Sequence, residues 1–420
     1  MKSNIKDKLQ KIDKEYYSLL IDIGKVSKDQ GLKSYLVGGM IRDLLLNFDN
    51  LDIDIVVEDN AKQLADAIVK KFSNCELAAR HDRFHTAKII FNIDGKKIPI
   101  DLASTREEIY EHSAALPTVK VSDLKKDLYR RDFTINALAV SILPEDFGDV
   151  VDLFNGLIDL KEKKIKVLHE LSFIDDPTRM IRAIRFACKL GFTIEENTQR
   201  LLKEAVESKQ FDNLIEKIRG DRVKIEIRYL FNLPDIESAV KAFFDSGIYR
   251  MLSTDLNPRR DVVCNVSTGD NTSRQWLIHL ALIIKDLNPE KQEKILKNLQ
   301  MTGEEIKIIK DGFSAFNRLK EKEPVDSIEI YRELKNLSIE STLIVKLLPN
   351  TQDLIRNTLF DEYIEKTSKI KLEITGQDLI TMGVKEGKRV GEILDKVLEM
   401  KIKNTQMNKN DEVAEAKKLI

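Results

Sequence analysis

The sequence predicts an α+β fold: a small mixed-sheet head followed by an elongated all-α neck, body and tail. Three observations predict it. Strand signals (SYLV, DIDIVV, TAKIIFNI and KKIPIDLA) cluster before residue 150. The last two are joined through Asp94-Gly95, a dipeptide suited to the left-handed residues of a tight hairpin. After Asp152 the apolar residues recur at helical spacing instead, around 176–190, 198–208 and 222–231, with few convincing strands. At 420 residues the chain can hold several cores, and the pattern divides it into a head (1–150), neck (151–232), body (233–335) and tail (336–420).

Taken in order, Ile5 to Gln30 carries apolar residues at helical spacing and stops at Gly31. SYLV then runs into Gly38-Gly39, a helix of one to two turns follows with Arg42-Asp43 near its start, and a second strand carries Asp52 and Asp54. Ala61 to Phe72 is helical, and the hairpin completes a sheet of four or five strands, with Asp101 at the end of its last strand. Tyr110 to Lys126 has few apolar anchors. Joints between helical parts fall near 232–235, 253–274 and 321–324.

Composition excludes several classes. One-third of the residues are charged, 69 basic against 70 acidic, so the net charge of -1 provides no global attraction to nucleic acid, and any such site is a local patch. Three widely spaced cysteines form neither a disulfide framework nor a metal motif, and the five histidines show no triad or ligand spacing. No run approaches about 18 uninterrupted apolar residues. The expectation is a cytoplasmic protein with no membrane segment and no evident obligate protein partner.

The chemistry is carried by three clusters. Asp52 and Asp54, at i and i+2 on a strand, project to one side and suit divalent metal ions. Upstream, Gly38 and Gly39 let backbone N–H groups approach a triphosphate closely. In LYRRDFTINAL, the pair Arg130-Arg131 can bind phosphates while Asp132 and Asn136 hydrogen-bond ribose hydroxyls. Taken alone, the same triplet equally describes a surface ion-pair cluster.

In IDDPTRMIRAIRF, Asp175 or Asp176 can cap a helix with Pro177 in its first turn, and Asp176, Arg179, Arg182 and Arg185 follow at i+3. One reading is an acidic cap before a basic solvated face. The other is base recognition. Cytosine and adenine each present an amino donor beside ring acceptors, so a carboxylate at Asp176 and a guanidinium at Arg179 complement both. Uracil and guanine invert donor and acceptor at both positions and are rejected.

GGMIRD followed by DIDIVVED resembles the signature of the polymerase-beta-type nucleotidyltransferases. With RRDFTINALA and DDPTRMIRAIRF in the same order, and with supporting matches in HDRFHTAKI, IDLASTREEIY, VVDLFNGLIDLKEKKIKVL, EKIRGDRVKIEI and ITGQDLITMGVKEGKRVGEIL, the chain resembles the class II tRNA nucleotidyltransferases. The resemblance spans most of the chain and is strongest before residue 230. It implies template-independent addition of CCA to a tRNA 3′ end from CTP and ATP, with pyrophosphate released. Asp52 and Asp54 would hold two magnesium ions; Gly39, Arg42 and Arg131 would contact phosphates and sugar. Asp132 and Asn136 would support the ribose, Asp176 and Arg179 would choose the base, and Arg182 and Arg185 would complete the nucleotide site. The family usually has Glu-Asp at Asp175-Asp176. The family also has a flexible loop, used in switching from C to A, at Tyr110 to Lys126.

Asp101 remains open, either as a third carboxylate or as a residue orienting Arg106. RNA phosphates would meet Lys217, Arg219, Arg222 and Lys224 and the segment 385–403, although both runs also contain acids. The competing readings are an A-only or CC-only tRNA nucleotidyltransferase, a bacterial-type poly(A) polymerase, a small-molecule nucleotidyltransferase and an inactive RNA-binding scaffold.

Overall fold

The computed structural model describes residues 3–109, 118–257, 274–322, 325–348 and 354–420. The expected loop and joints therefore lie partly outside the described residues, at 110–117, 258–273 and 323–324. The chain forms two compact units, Met1–Glu226 with Lys241–Thr254, and Ile227–Val240 with Asp255–Ile420.

The first unit begins with α1 (Lys6–Leu9) and α2 (Lys14–Asp29), the latter capped by the Asp13 carboxylate, which accepts from the Glu15 N–H at 3.0 Å. Gly31, at φ +67°, ends this segment. Then come β1 (Ser34–Val37), α3 (Gly39–Leu45), β2 (Ile53–Val57) and α4 (Ala61–Lys71). They are followed by β3 (Cys75–His81), β4 (Thr86–Ile93), β5 (Lys96–Ser104), β6 (Arg106–Ile109) and β7 (Thr118–Val121). After α5 (Leu124–Tyr129) the head closes with β8 (Leu138–Ser141) and β9 (Val150–Asp152).

Seven strands form one sheet in the order β3-β4-β5-β2-β1-β8-β9, and β6 and β7 pair separately. Only β2 and β5 run parallel among the neighbours of the main sheet. The Asp94-Gly95 turn joins β4 to β5 with both residues at positive φ, as expected. The expectation of four or five strands is too small, for physical reasons. Most positions of β3 are solvated, which erases the alternation, whereas all four residues of β8 are buried and show no period at all.

Alternation within β2 positions the site. Ile53, Ile55 and Val57 point into the core that α2 and α4 cover, packing with Leu20, Ile23, Leu64 and Ile68. Val56 points to the other face, against Leu124 and Leu128 of α5, and Asp54 has the same parity. Asp54 therefore emerges on the face away from the main core. Asp52 lies one residue before β2 instead of on it, and is exposed.

The unit continues through α6 (Gly156–Lys161), β10 (Lys164–Ile165), α7 (Ser172–Asp175) and α8 (Thr178–Leu190). Next are β11 (Thr193–Ile194), α9 (Glu196–Glu207) and α10 (Gly220–Phe231), whose residues up to Glu226 belong to the first unit. Pro177 stands just before α8 instead of within its first turn, and the Asp176 carboxylate accepts from the Thr178 N–H at 3.1 Å.

Among the described residues the second unit carries helices and no strand. One of its cores gathers Leu319, Ile330, Leu334, Phe360 and Ile402; another gathers Ile374, Leu379, Ile393, Val397 and Ala416. Glu412, fully buried, accepts from the Glu373 and Ile374 N–H groups at 2.8 and 2.9 Å and pairs with Lys401 at 2.5 Å. Lys401, within the segment expected to meet RNA, is thereby committed to folding. No helix of the described residues is long and apolar enough to cross a membrane.

Gly24 supplies a test of packing. A Cβ built there lies 1.8 Å from the Ile142 carbonyl oxygen. In an open helix Gly→Ala stabilises by about 1 kcal/mol; here the overlap is with backbone and the sign reverses. Gly24→Ala should destabilise the first unit by about 1–3 kcal/mol, read as an earlier thermal or urea transition. An unchanged or later transition would contradict this packing.

Candidate active site

Gly38 turns β1 into α3 at φ +83°, where L side chains rarely sit, and a Cβ there would lie 3.1 Å from the Asp54 Oδ2. A Cβ on Gly39 would lie 3.3 Å from an Arg42 guanidinium nitrogen. Gly38 thus keeps space open over the acid, and Gly39 over the Arg42 guanidinium. Asp54 sits opposite Val37 of β1 and Asp101 of β5. Asp101 is three residues inside β5, not at its end, and accepts from the Lys88 ammonium at 3.0 Å. Arg106 instead reaches Glu108 and the Phe84 carbonyl, both at 3.4 Å.

Burial, then the charges of Asp52 and Asp101, push the Asp54 carboxyl up to about 6 despite Arg131 and Lys88. This acid cluster is under-compensated. Its all-oxygen donors and surplus negative charge fit a hard divalent cation such as magnesium. Among the described residues no three ligands already converge at metal distance, so Asp52 and Asp54 fit as the core of a site that further oxygens complete.

Beside this cluster runs a chain of buried polar groups. Arg42 donates to Asp43 at 2.7 Å and to Asn136 Oδ1 at 2.7 Å, and Asn50 donates to Asp43 at 2.8 Å. Asn136 donates to Asp132 at 3.0 Å, and Asp132 accepts from Arg182 at 2.6 and 2.8 Å. Arg182 also donates to Glu226 at 2.8 Å, and so does Arg185. The guanidinium carbons of Arg42, Arg182 and Arg185 lie 4.9, 5.5 and 4.4 Å from the centroid of the Phe186 ring. Burial alone would push the Asp132 carboxyl up; Arg182 and the Asn136 amide hold it below the usual range.

Arg131 and Arg130 are aimed by Asp127, which is fully buried. It accepts from Arg131 at 3.0 Å and from Arg130 at 2.8 and 3.1 Å. Burial would raise its carboxyl, but the two arginines hold it below its usual value. Arg131 Nε is buried without a hydrogen-bond partner among the described residues.

Asp176 and Arg179 lie 4.0 Å apart. Asp176 Oδ1 accepts from the Thr178 hydroxyl at 2.6 Å, and Oδ2 accepts from Arg222 at 2.6 Å. Arg179 donates to Ser172 Oγ at 2.8 Å and to the Arg130 carbonyl at 2.6 Å. Two of its five N–H groups are thus engaged in fixing the fork. Gly38, Gly39, Arg42, Asp54, Arg131, Asp132, Asn136, Asp176, Arg179, Arg182 and Arg185 all line one open cleft of about 530 Å³ within the first unit.

A Poly A polymerase head domain model matches residues 34–166, and a tRNA nucleotidyltransferase domain 2 model matches residues 270–416. The A-adding tRNA nucleotidyltransferase of Geobacter sulfurreducens is 35% identical over 96% of this chain, which spans 47% of that relative. The CCA-adding enzyme of Lactobacillus helveticus is 27% identical, with 96% and 98% of the two chains covered. The structure of the Thermotoga maritima CCA-adding enzyme complexed with tRNA matches with a TM-score of 0.78 at 30% identity, covering 100% and 99% of the two chains. The chain belongs to the class II tRNA nucleotidyltransferase family. It spans about half the length of the A-adding relative.

Several lining residues are not among those expected at the site. Arg222, expected at an RNA surface, lines the cleft and holds Asp176. Lys217 donates to the Gln210 carbonyl at 3.1 Å and Arg219 pairs with Asp221 at 2.9 Å. Arg182 and Arg185 are committed to Asp132 and Glu226. Asn50, Glu108, Phe186 and Lys189 also line the cleft. A signal for Asp127 exists, because it stands three and four residues before Arg130 and Arg131 at the end of α5; Glu226 and Arg222 share a face of α10 but lie 40 or more residues from their partners.

The raised Asp54 pKa fixes a sign. Its folded value lies above the ordinary aspartate value of 3.8; protonation therefore favours folding, a contribution fully present below about 4 and lost as pH rises through about 6. Without metal at pH 7.5, Asp54→Asn should raise the melting temperature. The advantage should shrink as pH falls through 6 and vanish near 4. Scanning fluorimetry in chelator checks this, and a destabilised variant at pH 7.5 would contradict it.

Proposed function

We propose that this protein adds C, C and A to the 3′ end of tRNA, using CTP and ATP without a nucleic-acid template. The observation that carries the reading is the placement of a paired carboxylate and guanidinium, Asp176 and Arg179, in the same cleft as Asp54. A triphosphate beside the under-compensated acids would present its base to that pair.

The 3′-hydroxyl of the RNA attacks the α-phosphate; a new P–O bond forms as the bond to the departing pyrophosphate breaks. Magnesium ions held by Asp52 and Asp54 would lower the pKa of the attacking hydroxyl and neutralise charge on the pyrophosphate. Arg131, aimed by Asp127 and with Nε unused, donates to phosphate. Gly38 and Gly39 admit the phosphates close to the backbone. Arg42 and Asn136, held by Asp43 and Asp132, frame the sugar. Asp176 accepts from the amino group of C or A while Arg179 donates to the ring acceptors. A base with inverted edges leaves buried groups mismatched at about 1–3 kcal/mol each.

A-only addition is the second reading, and the 35% identity to the Geobacter sulfurreducens relative over 96% of this chain favours it. Sequencing the products made on a tRNA transcript lacking its last three nucleotides, with CTP and ATP present, separates the readings. CCA addition gives all three residues. A-only addition gives product only from transcripts already ending in CC, and a run of A would indicate poly(A) synthesis.

The selecting role has its own test. Asp176→Asn keeps the Oδ1 acceptor for Thr178 but places an amide donor where a base amino group would meet Oδ2. Preference for CTP and ATP over UTP and GTP should fall at least about tenfold, measured as ratios of kcat/KM. Unchanged ratios would remove Asp176 from selection.

A further inference from the structure

A second surface adjoins the cleft and has no part in the chemistry above. Tyr129, at the end of α5, is 47% exposed. Its ring centroid lies 5.1 Å from that of His169 at 33°, and 5.8 Å from that of Phe154 at 42°. Leu153 and Leu171, next in sequence to Phe154 and two places beyond His169, are 46% and 60% exposed. Soluble chains usually bury such residues or give them a partner. Burial, then the charge of Arg179, holds the His169 pKa below its usual value against the pull of Asp175, and so favours the neutral ring.

The surface is tied to the cleft by its neighbours. The carbonyl of Arg130, adjacent to Tyr129, accepts from Arg179, and His169 Nδ1 lies 4.0 Å from the Asp175 carboxylate beside Asp176. Lys125 is exposed four residues before Tyr129 on the same face of α5. Aromatic rings flanked by a cation are the chemistry of single-stranded nucleic-acid platforms, where bases stack and the cation meets phosphate.

We propose that Tyr129, backed by His169 and Phe154, is a stacking platform for an unpaired base of the RNA strand being extended, with Lys125 holding its phosphate. The proposal rests on the reading that this protein acts on a tRNA end. The strand approaches the base-selecting pair over the side opposite the nucleotide, and the platform holds it without contacting the reacting atoms. Stacking depends on ring surface and not on base identity, so the platform tolerates successive terminal residues.

Equilibrium binding of a fluorescein-labelled tRNA transcript ending in CC, together with steady-state ATP incorporation, tests it. Tyr129→Ala should weaken tRNA binding about tenfold and raise KM for tRNA correspondingly, with KM for ATP and the melting temperature unchanged. Tyr129→Phe, which keeps the ring, should restore both. Unaltered tRNA affinity in Tyr129→Ala, or failure of Tyr129→Phe to rescue it, would overturn the platform. If the unmodified protein incorporates nothing, the functional reading fails, while the affinity comparison still decides the platform.

Discussion

The cleft depends on one continuous set of ion pairs, Asp132–Arg182–Glu226–Arg185, in which the carboxylates and Arg185 are buried and Arg182 is half-buried, with the Phe186 ring beneath the guanidinium groups. Asp132 belongs to the segment just before β8, the arginines to α8 and Glu226 to α10. Residues scattered over nearly a hundred positions are thus held by charge that has nowhere else to go. Removing one member of a buried pair costs about 3–5 kcal/mol, because the other charge stays buried alone. The geometry of α8 is therefore enforced by an electrostatic penalty and not by apolar packing alone.

Asp54 obeys the opposite rule. Asp132 and Asp127 are buried with enough cation to keep their pKa values low, whereas Asp54 is half-buried beside two other acids and its pKa rises to about 6. Carboxylates in and beside the cleft thus divide into those that hold the structure and one that strains it. Such a division is what a cation-binding function demands, since a fully compensated acid has little affinity left to offer a metal.

Much of this could be read from the sequence because the relevant forces are local. The hairpin at Asp94-Gly95, the Gly38 turn and the helical spacing of α4, α8 and α9 are set by residues within a few positions of each other. Except for Asp52, which is exposed and does not line it, the motif residues share one cleft because each sits at a fixed offset from a strand or helix end. Other features were illegible for stated reasons. Solvation of β3 and complete burial of β8 removed their periodicity, and Asp52 fell outside β2 because Asn50 accepts its N–H at 3.1 Å in a turn before the strand begins. Arg222 looked like a surface cation because its partner, Asp176, lies 46 positions away. Nothing in a run of mixed charges distinguishes a residue that turns inward from one that stays in water.

On the proposed reading, Arg222 also changes what selection at Asp176 would involve. Both carboxylate oxygens already accept hydrogen bonds, from Thr178 and from Arg222, so on the proposed reading an arriving amino group does not meet an empty acceptor. A carboxylate has about four lone-pair positions, and sharing one oxygen between a guanidinium and an amino group is chemically ordinary. The consequence is directional. A correct base adds a donor to a carboxylate already oriented by two others, whereas a base presenting a carbonyl there places an acceptor against that charge and must break the arrangement to be relieved. Preorganisation by Arg222 and Thr178 thus raises the cost of the wrong base more than it raises the gain from the right one. That asymmetry is what a pocket without a template strand needs.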